Sequence, residues 1–267
     1  MNNLKYYAFD LDDNILCLPT KIHLEHKVNE NWIPIQVSTE FFSKIRTELD
    51  NGEWRVESNN FDIAYSEFTD CGLRKENALI EDTIFAIQNK NFGPIWNTFI
   101  KCLIDGSFFM IITARGHEPE TIKNTIKWIV DNYLSDYEKI KMIRNIKNFI
   151  KLFNKGNVYL SNEQLIDYYL IHCDFLGITS NYFRNNFYNG KITVNKPENA
   201  KSLAIDYFVN RIKNYGELVN RKVCMGFSDD DTKTIEYIQS YIENKLSLEI
   251  PIKYKIYHTK NGIKKIM

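Results

Sequence analysis

Two clusters of carboxylates hold most of the chemical potential of this 267-residue sequence. The first is Phe9-Asp10-Leu11-Asp12-Asp13-Asn14, at the end of an apolar run. Residues two apart in an extended chain point the same way, so a turn after Asp10 can bring Asp10 and Asp12 over one site. Two converging carboxylates can divide labour, one attacking as a nucleophile and the other serving as general acid and base. The plainer alternative is a pair of turn formers. The second cluster, Asp229-Asp230-Asp231, follows another apolar run at 222–227. Its plainer alternative is an N-cap and an acidic first helical turn.

If the fold gathers both clusters, each like-charged pair about 4 Å apart costs roughly 4 kcal/mol at an effective dielectric of about 20. Such a group needs a cation. All-oxygen donors with few imidazoles favour a hard ion, and carboxylates, a backbone carbonyl, waters and a substrate phosphate are the usual surroundings of Mg²⁺.

Further positions bear on phosphate chemistry. Thr113, in Ile112-Thr113-Ala114-Arg115, ends an apolar run where its hydroxyl and the following backbone N–H groups can hold a phosphate oxygen. Lys196 precedes Pro197, which starts a helix, and Lys201 is the alternative lysine one turn later. Arg115 and His117 follow Thr113 and are candidate substrate contacts by position. His23 and His26 are read as exposed loop histidines, since Mg²⁺ does not prefer imidazole.

Positioning these residues requires an α/β sheet. Strands are expected at 5–11, 107–113 and 222–227, near-continuous apolar runs that suit strands buried on both faces. Helical periodicity follows two of them, at 119–133 with Ile122, Ile126, Ile129 and Val130 on one face, and after Asp231 with Ile235, Ile238 and Ile242. In open α/β sheets ligands bind at the carboxyl ends of strands, where every cluster above lies. A last strand near 251–258 is expected at an edge. Residues 17–92, with an extended segment at 32–37, a helix from Ser38-Thr39 and a strand at 53–56, fall outside this rhythm. So do residues 134–195, with a helix at 136–153 and a strand at 157–160.

Composition excludes several classes. The chain has 34 Lys+Arg against 34 Asp+Glu and is 44% hydrophobic, so it can bury a core and carries no global field toward nucleic acid or acidic membranes. Five scattered cysteines without a CxxC pair argue against a disulfide framework or a cysteine zinc site. They are read as reduced, mostly buried thiols of a cytoplasmic protein, with no signal peptide at the start. No apolar run approaches the roughly 20 residues of a membrane helix. Lys139, Lys141, Arg144, Lys147, Lys151 and Lys155 form a basic helix face, ordinarily a solvated one, that could steer a nucleic acid backbone.

Taken in chain order, four of these elements resemble the haloacid dehalogenase-like superfamily. Its pattern is an apolar strand ending in DxDx(T/V/G), an apolar strand ending in Thr or Ser, a Lys, and an apolar strand ending in an acidic motif. Here they stand as Asp10-Leu11-Asp12-Asp13-Asn14, Ile112-Thr113, Lys196-Pro197 and Gly226-Phe227-Ser228-Asp229-Asp230-Asp231, with Asn14 departing from the usual residue. The resemblance implies a three-layer Rossmann-like core at 1–16 and 93–267, an inserted α+β cap at 17–92 and a candidate second insertion at 134–195. It implies that Asp10 is a nucleophile forming an aspartyl-phosphate, and that Asp12 protonates the leaving oxygen and then activates water. Thr113, Ala114 and Lys196 would bind the phosphoryl group. Asp10, the Asp12 carbonyl, Asp229 and Asp230 would hold Mg²⁺, leaving Asp231 to cap the helix. The expected activity is Mg²⁺-dependent hydrolysis of a phosphate monoester. A phosphorylated small molecule is the expected substrate; a nucleic acid end and a non-catalytic phospholigand-binding protein are the alternatives.

Overall fold

The computed structural model describes residues 3–46, 48–49, 52–72, 74, 77–153, 159–188, 197–250, 252–259 and 265–266. Strand β1 (Leu4–Phe9) opens the chain with only Lys5 exposed. The chain then leaves the main sheet and builds a small antiparallel one from β2 (Ile22–Val28), β3 (Asn31–Val37) and β4 (Trp54–Val56), ordered β3-β2-β4. Helix α1 (Thr39–Ile45) starts at Ser38, whose side chain accepts from Phe41 N, and the short α2 (Phe61–Ala64) follows β4. Ile22, Leu24, Val37, Ile45, Trp54, Val56, Ala64 and Phe68 form a core of their own for this unit.

Helices α3 (Ala78–Gln88) and α4 (Trp96–Asp105) lead back to the main sheet. Gly106, at φ 64°, ends α4 in the left-handed conformation that glycine adopts without steric cost. Strand β5 (Phe109–Thr113) is buried along its whole length. Helix α5 (Pro119–Asn132) begins with Pro119 and buries Ile122, Ile126, Ile129 and Val130. Each such side chain stabilises the fold by roughly 1.5–3 kcal/mol relative to exposure. Helices α6 (Asp136–Phe153) and α7 (Asn162–Ile171) precede β6 (Asp174–Gly177). After α8 (Asn181–Phe187) and α9 (Pro197–Leu218) come β7 (Val223–Asp229), α10 (Thr232–Tyr241), β8 (Lys253–His258) and β9 (Lys265–Ile266).

The main sheet has the order β6-β5-β1-β7-β8-β9, with the first five strands parallel and β9 antiparallel to β8. Helices flank it, giving the three-layer Rossmann-like α/β architecture with a separate small cap sheet. From β1 the chain proceeds to β5 and β6 on one side, then returns to β7 and β8 on the other. The reversal puts the topological switch point between β1 and β7, where open α/β sheets bind ligands.

Several expectations need correction. The part of 17–92 with its own core is 22–68, because Leu18, Leu79 and Ala86 join the main core. Within 134–195, Met142, Ile146, Ile150, Leu165 and Phe183 also join the main core, so the described residues there thicken the helical layer and form no second cap. The strand expected at 157–160 lies partly outside the described residues, and Tyr159 and Leu160 are not in a strand. β8 is the last parallel strand, not a bare edge, since β9 pairs with Tyr257 and His258. His23 and His26 lie in β2 rather than a loop. His23 is buried and 2.9 Å from Glu67, and His26 stacks on Trp54. All five cysteines are free thiols; Cys102 and Cys173 are buried, whereas Cys17 and Cys71 are exposed. No helix among the described residues is long and apolar enough to cross a membrane.

Candidate functional site

Parallel pairing of β1 with β7 sets Phe9 opposite Ser228, and Asp10 N donates to Ser228 O at 3.0 Å. Asp10 and Asp229 therefore leave adjacent strands side by side at the switch point. Carboxylate oxygens of Asp10, Asp229 and Asp230 lie within 4.8 Å of one another. Between Asp10 and Asp229 sits the Lys201 ammonium, 2.7 Å from Asp10 Oδ1 and 2.6 Å from Asp229 Oδ2, with all three residues buried. No family model, curated protein or solved structure matches the chain.

Lys201 is the alternative named from the sequence, and Lys196 lies outside the described residues. Side chains of a helix tilt toward its N-terminus, so a lysine one turn into α9 reaches back to the strand ends. Burial opposes the Lys201 charge, but Asp10 and Asp229 hold its pKa above the ordinary value. One ammonium against three carboxylates leaves negative charge uncompensated. Accordingly burial, with Asp229 and Asp13 nearby, pushes the Asp230 carboxyl up to about 8. This all-oxygen donor set fits a hard divalent cation.

Asp231 takes no part in the cluster. It caps α10, accepting from Lys233 N at 2.7 Å and Thr234 N at 3.2 Å, and it pairs with Arg46 of the cap at 2.6 Å. Burial works against its ionisation, yet these partners hold its carboxyl below the ordinary range.

Asn14, the departure from the family pattern, is a wholly buried latch. Its Nδ2 donates to Asp10 O at 2.9 Å, Ser228 Oγ at 3.0 Å and Ser228 O at 3.2 Å, while its Oδ1 accepts from Thr259 Oγ1 at 2.8 Å. One amide thus ties β1, β7 and the end of β8 together, which Thr, Val or Gly could not do. The turn it needs is made by Asp13 at φ 55°, a conformation Asp tolerates better than most residues. Asp13 in turn accepts from Thr39 of α1 at 2.7 Å, and burial pushes its carboxyl up to about 6.

Asp12 faces the end of β5. Arg115 Nε donates to Asp12 Oδ2 at 2.8 Å and Nη2 to Oδ1 at 2.6 Å, a two-pronged pair, and Thr113 Oγ1 lies 3.4 Å from Oδ2. Thr113 also accepts from Arg115 N, and Ala114, exposed, accepts from Thr179 through its carbonyl at 3.1 Å. Arg115 thus engages Asp12 through Nε and Nη2, while its buried Nη1 has no hydrogen-bond partner among the described residues. His117 is wholly buried and 4.0 Å from Asp70, with neither ring nitrogen bonded among the described residues. Close packing with β6 keeps this loop in place, because a Cβ on Gly177 would sit 2.5 Å from His117 O and 2.7 Å from Arg115 O.

The cap approaches the site at several points besides Arg46. Phe68 O accepts from Gly116 N at 2.9 Å, Asp70 accepts from Glu118 N at 2.8 Å, and the Phe68 ring lies 4.6 Å from the Arg115 guanidinium. The basic face of α6 is elsewhere. Asn145 donates to Ile104 O, Ile146 packs on Gly106 and Phe149 on Phe108, at the amino end of β5, the far end from Thr113. Lys155 of that face lies outside the described residues.

Sequence reasoning missed Thr20, Asp82 and Arg46, which carried no motif, and the latching role of Asn14. It also passed over a signal for Lys201, which shares a helical stripe with Ala204, Ile205, Phe208 and Ile212, all buried.

Proposed function

We propose that the protein is a Mg²⁺-dependent phosphohydrolase that cleaves a phosphate monoester through an aspartyl-phosphate on Asp10. The observation that carries this reading is the meeting of buried Asp10, Asp229 and Lys201 with half-buried Asp230 at the switch point, while Asp12, two residues after Asp10, lies 3.4 Å from Thr113 Oγ1. A lone carboxylate pair would serve a turn or a cap; here a third carboxylate stands within 4.8 Å of the two that Lys201 already pairs, an excess of acid that a turn or a cap does not need.

In this reading Asp10 attacks phosphorus, and the bond to the leaving oxygen breaks with its electron pair going to that oxygen, which takes a proton from Asp12. Water then attacks the same phosphorus, Asp12 takes its proton, and the electron pair of the Asp10–phosphorus bond returns to the Asp10 carboxylate as phosphate leaves. Lys201 holds Asp10 in place and offsets its charge, and the Thr113 hydroxyl with the following N–H groups binds phosphoryl oxygens. Asp10, Asp229, Asp230 and the Asp12 carbonyl would hold Mg²⁺, which when bound offsets charge on the phosphoryl oxygens.

The substrate class proposed is a small phosphorylated molecule, because α6, the helix that carries the basic face, packs through Asn145 and Ile146 at the amino end of β5, the far end from Thr113. A panel of phosphorylated metabolites, nucleotides and end-phosphorylated oligonucleotides, assayed for phosphate release with Mg²⁺ and with EDTA, tests the reading. Release from small esters that stops in EDTA is expected. No release from any member with Mg²⁺ present would contradict it.

A further inference from the structure

We infer that Arg115 is a positioning residue that sets Asp12 for the water-activating half of the proposed reaction; the inference rests on the phosphohydrolase reading. Both Asp12 carboxylate oxygens accept from the same guanidinium, at 2.8 and 2.6 Å, with the Thr113 hydroxyl at 3.4 Å. Two parallel N–H donors fix the plane and direction of a carboxyl group more tightly than a single donor can. In the second half of the proposed reaction Asp12 must meet a water aimed at the phosphorus on Asp10, whatever the leaving group was, and that step depends on the direction of the carboxyl group.

Arg115 is itself held from other sides. Its Nη2 also donates to Thr20 Oγ1 at 2.7 Å, Thr20 donates to the buried Asp82 at 2.5 Å, and Arg74 pairs with Asp82 at 2.6 Å. The Phe68 ring of the cap lies against the guanidinium, and the whole side chain is 1% exposed. Nε and Nη2, the two nitrogens that make the fork, are both spent on Asp12, which leaves only Nη1 without a partner among the described residues. The chain of contacts from Arg74 to Asp12 joins α3 and the cap to a single carboxylate, so its direction is set by residues from three parts of the chain.

The test uses p-nitrophenyl phosphate, whose leaving group departs without a proton, so that Asp12 is needed only in the second half. Full-length wild type, Arg115→Ala and Arg115→Lys are mixed with substrate and Mg²⁺ at one pH. The initial burst and the steady-state rate of nitrophenolate release are recorded, and acid-quenched protein is weighed intact for a covalent phosphoryl group. For both variants the burst is expected to persist while steady-state turnover falls about 10²-fold and phosphoprotein accumulates. Lysine should not rescue, because a point charge cannot make the fork. Equal loss of burst and steady state without covalent phosphoprotein, or turnover at the wild-type rate, would overturn the inference. Thr20→Val, which removes only one anchor of the guanidinium, is run beside them in case the Arg115 variants do not fold. It should accumulate phosphoprotein above the wild-type level, and wild-type behaviour there would count against the inference. Wild type that neither releases nitrophenolate nor gains a phosphoryl group would instead overturn the phosphohydrolase reading itself.

Discussion

Lys201 Nζ lies 2.7 Å from Asp10 Oδ1 although the two residues are 191 positions apart, and each is at most 5% exposed. Breaking a buried ion pair leaves an uncompensated charge, which typically costs about 3–5 kcal/mol. Lys201→Met is therefore expected to lower unfolding free energy by about that amount in urea titrations with EDTA. A loss below about 1 kcal/mol, the size of an exposed pair, would show that the ammonium does not stabilise the carboxylates.

The remaining negative charge should make stability depend on divalent metal. A ligand that binds only the folded state stabilises by about 2.7 kcal/mol at 100 times its Kd. Thermal unfolding of wild type should move upward with Mg²⁺ and back with EDTA, and the shift should shrink in Asp230→Asn. A midpoint indifferent to Mg²⁺ over millimolar concentrations would speak against a site at Asp10, Asp229 and Asp230.

These relationships were unequally legible in the sequence. Strands buried on both faces read as apolar runs, so β1, β5 and β7 and the acidic residues at their ends could be located, whereas β6 has only four residues between helices. Asp10 and Asp229 could be expected to meet because each ends such a strand. The Arg115–Asp12 pair spans 103 positions, and the choice between substrate contact and internal fork depends on how the loop after β5 packs against β6. Asn14 looked like a departure because its partners Ser228 and Thr259 lie more than 200 positions away.

Asn14 should tolerate little. Asn14→Ala leaves the Thr259 hydroxyl and the Asp10 and Ser228 carbonyls short of a partner in a buried place, and about 1–3 kcal/mol of stability should be lost. Asn14→Asp should be worse, because an acceptor would then face two carbonyls. Chemical denaturation of the two variants decides this, and equal stability of Asn14→Asp and wild type would refute the latch.

His117 links stability to pH. Burial, aided by Arg115, lowers its pKa from 6.5 to about 3. Between those values the unfolded chain binds a proton that the folded chain does not, so this contribution is full above pH 6.5 and is lost as pH falls toward 3. At pH 5 the loss is about 2 kcal/mol. The fall in unfolding free energy between pH 7 and pH 5 should be smaller by that amount in His117→Gln than in wild type; parallel profiles would contradict the burial of a neutral ring.

The cap should be held loosely. Arg46 and Asp231 are 2.6 Å apart but 33% and 23% exposed, and a partly solvated pair of this kind contributes about 0–1 kcal/mol. Arg46→Ala should leave global stability nearly unchanged while amide exchange quickens in β4 and α2. Unchanged exchange there would mean that this contact does not hold the cap to the core.

The proposed function turns on phosphoryl transfer to and from Asp10, which hydrolysis of p-nitrophenyl phosphate by wild type and Asp10→Asn measures. Wild type should release nitrophenolate with Mg²⁺ and stop in EDTA, and folded Asp10→Asn should show none above background. Full activity in Asp10→Asn, or none in wild type supplied with Mg²⁺, would rule out Asp10 as the phosphoryl acceptor.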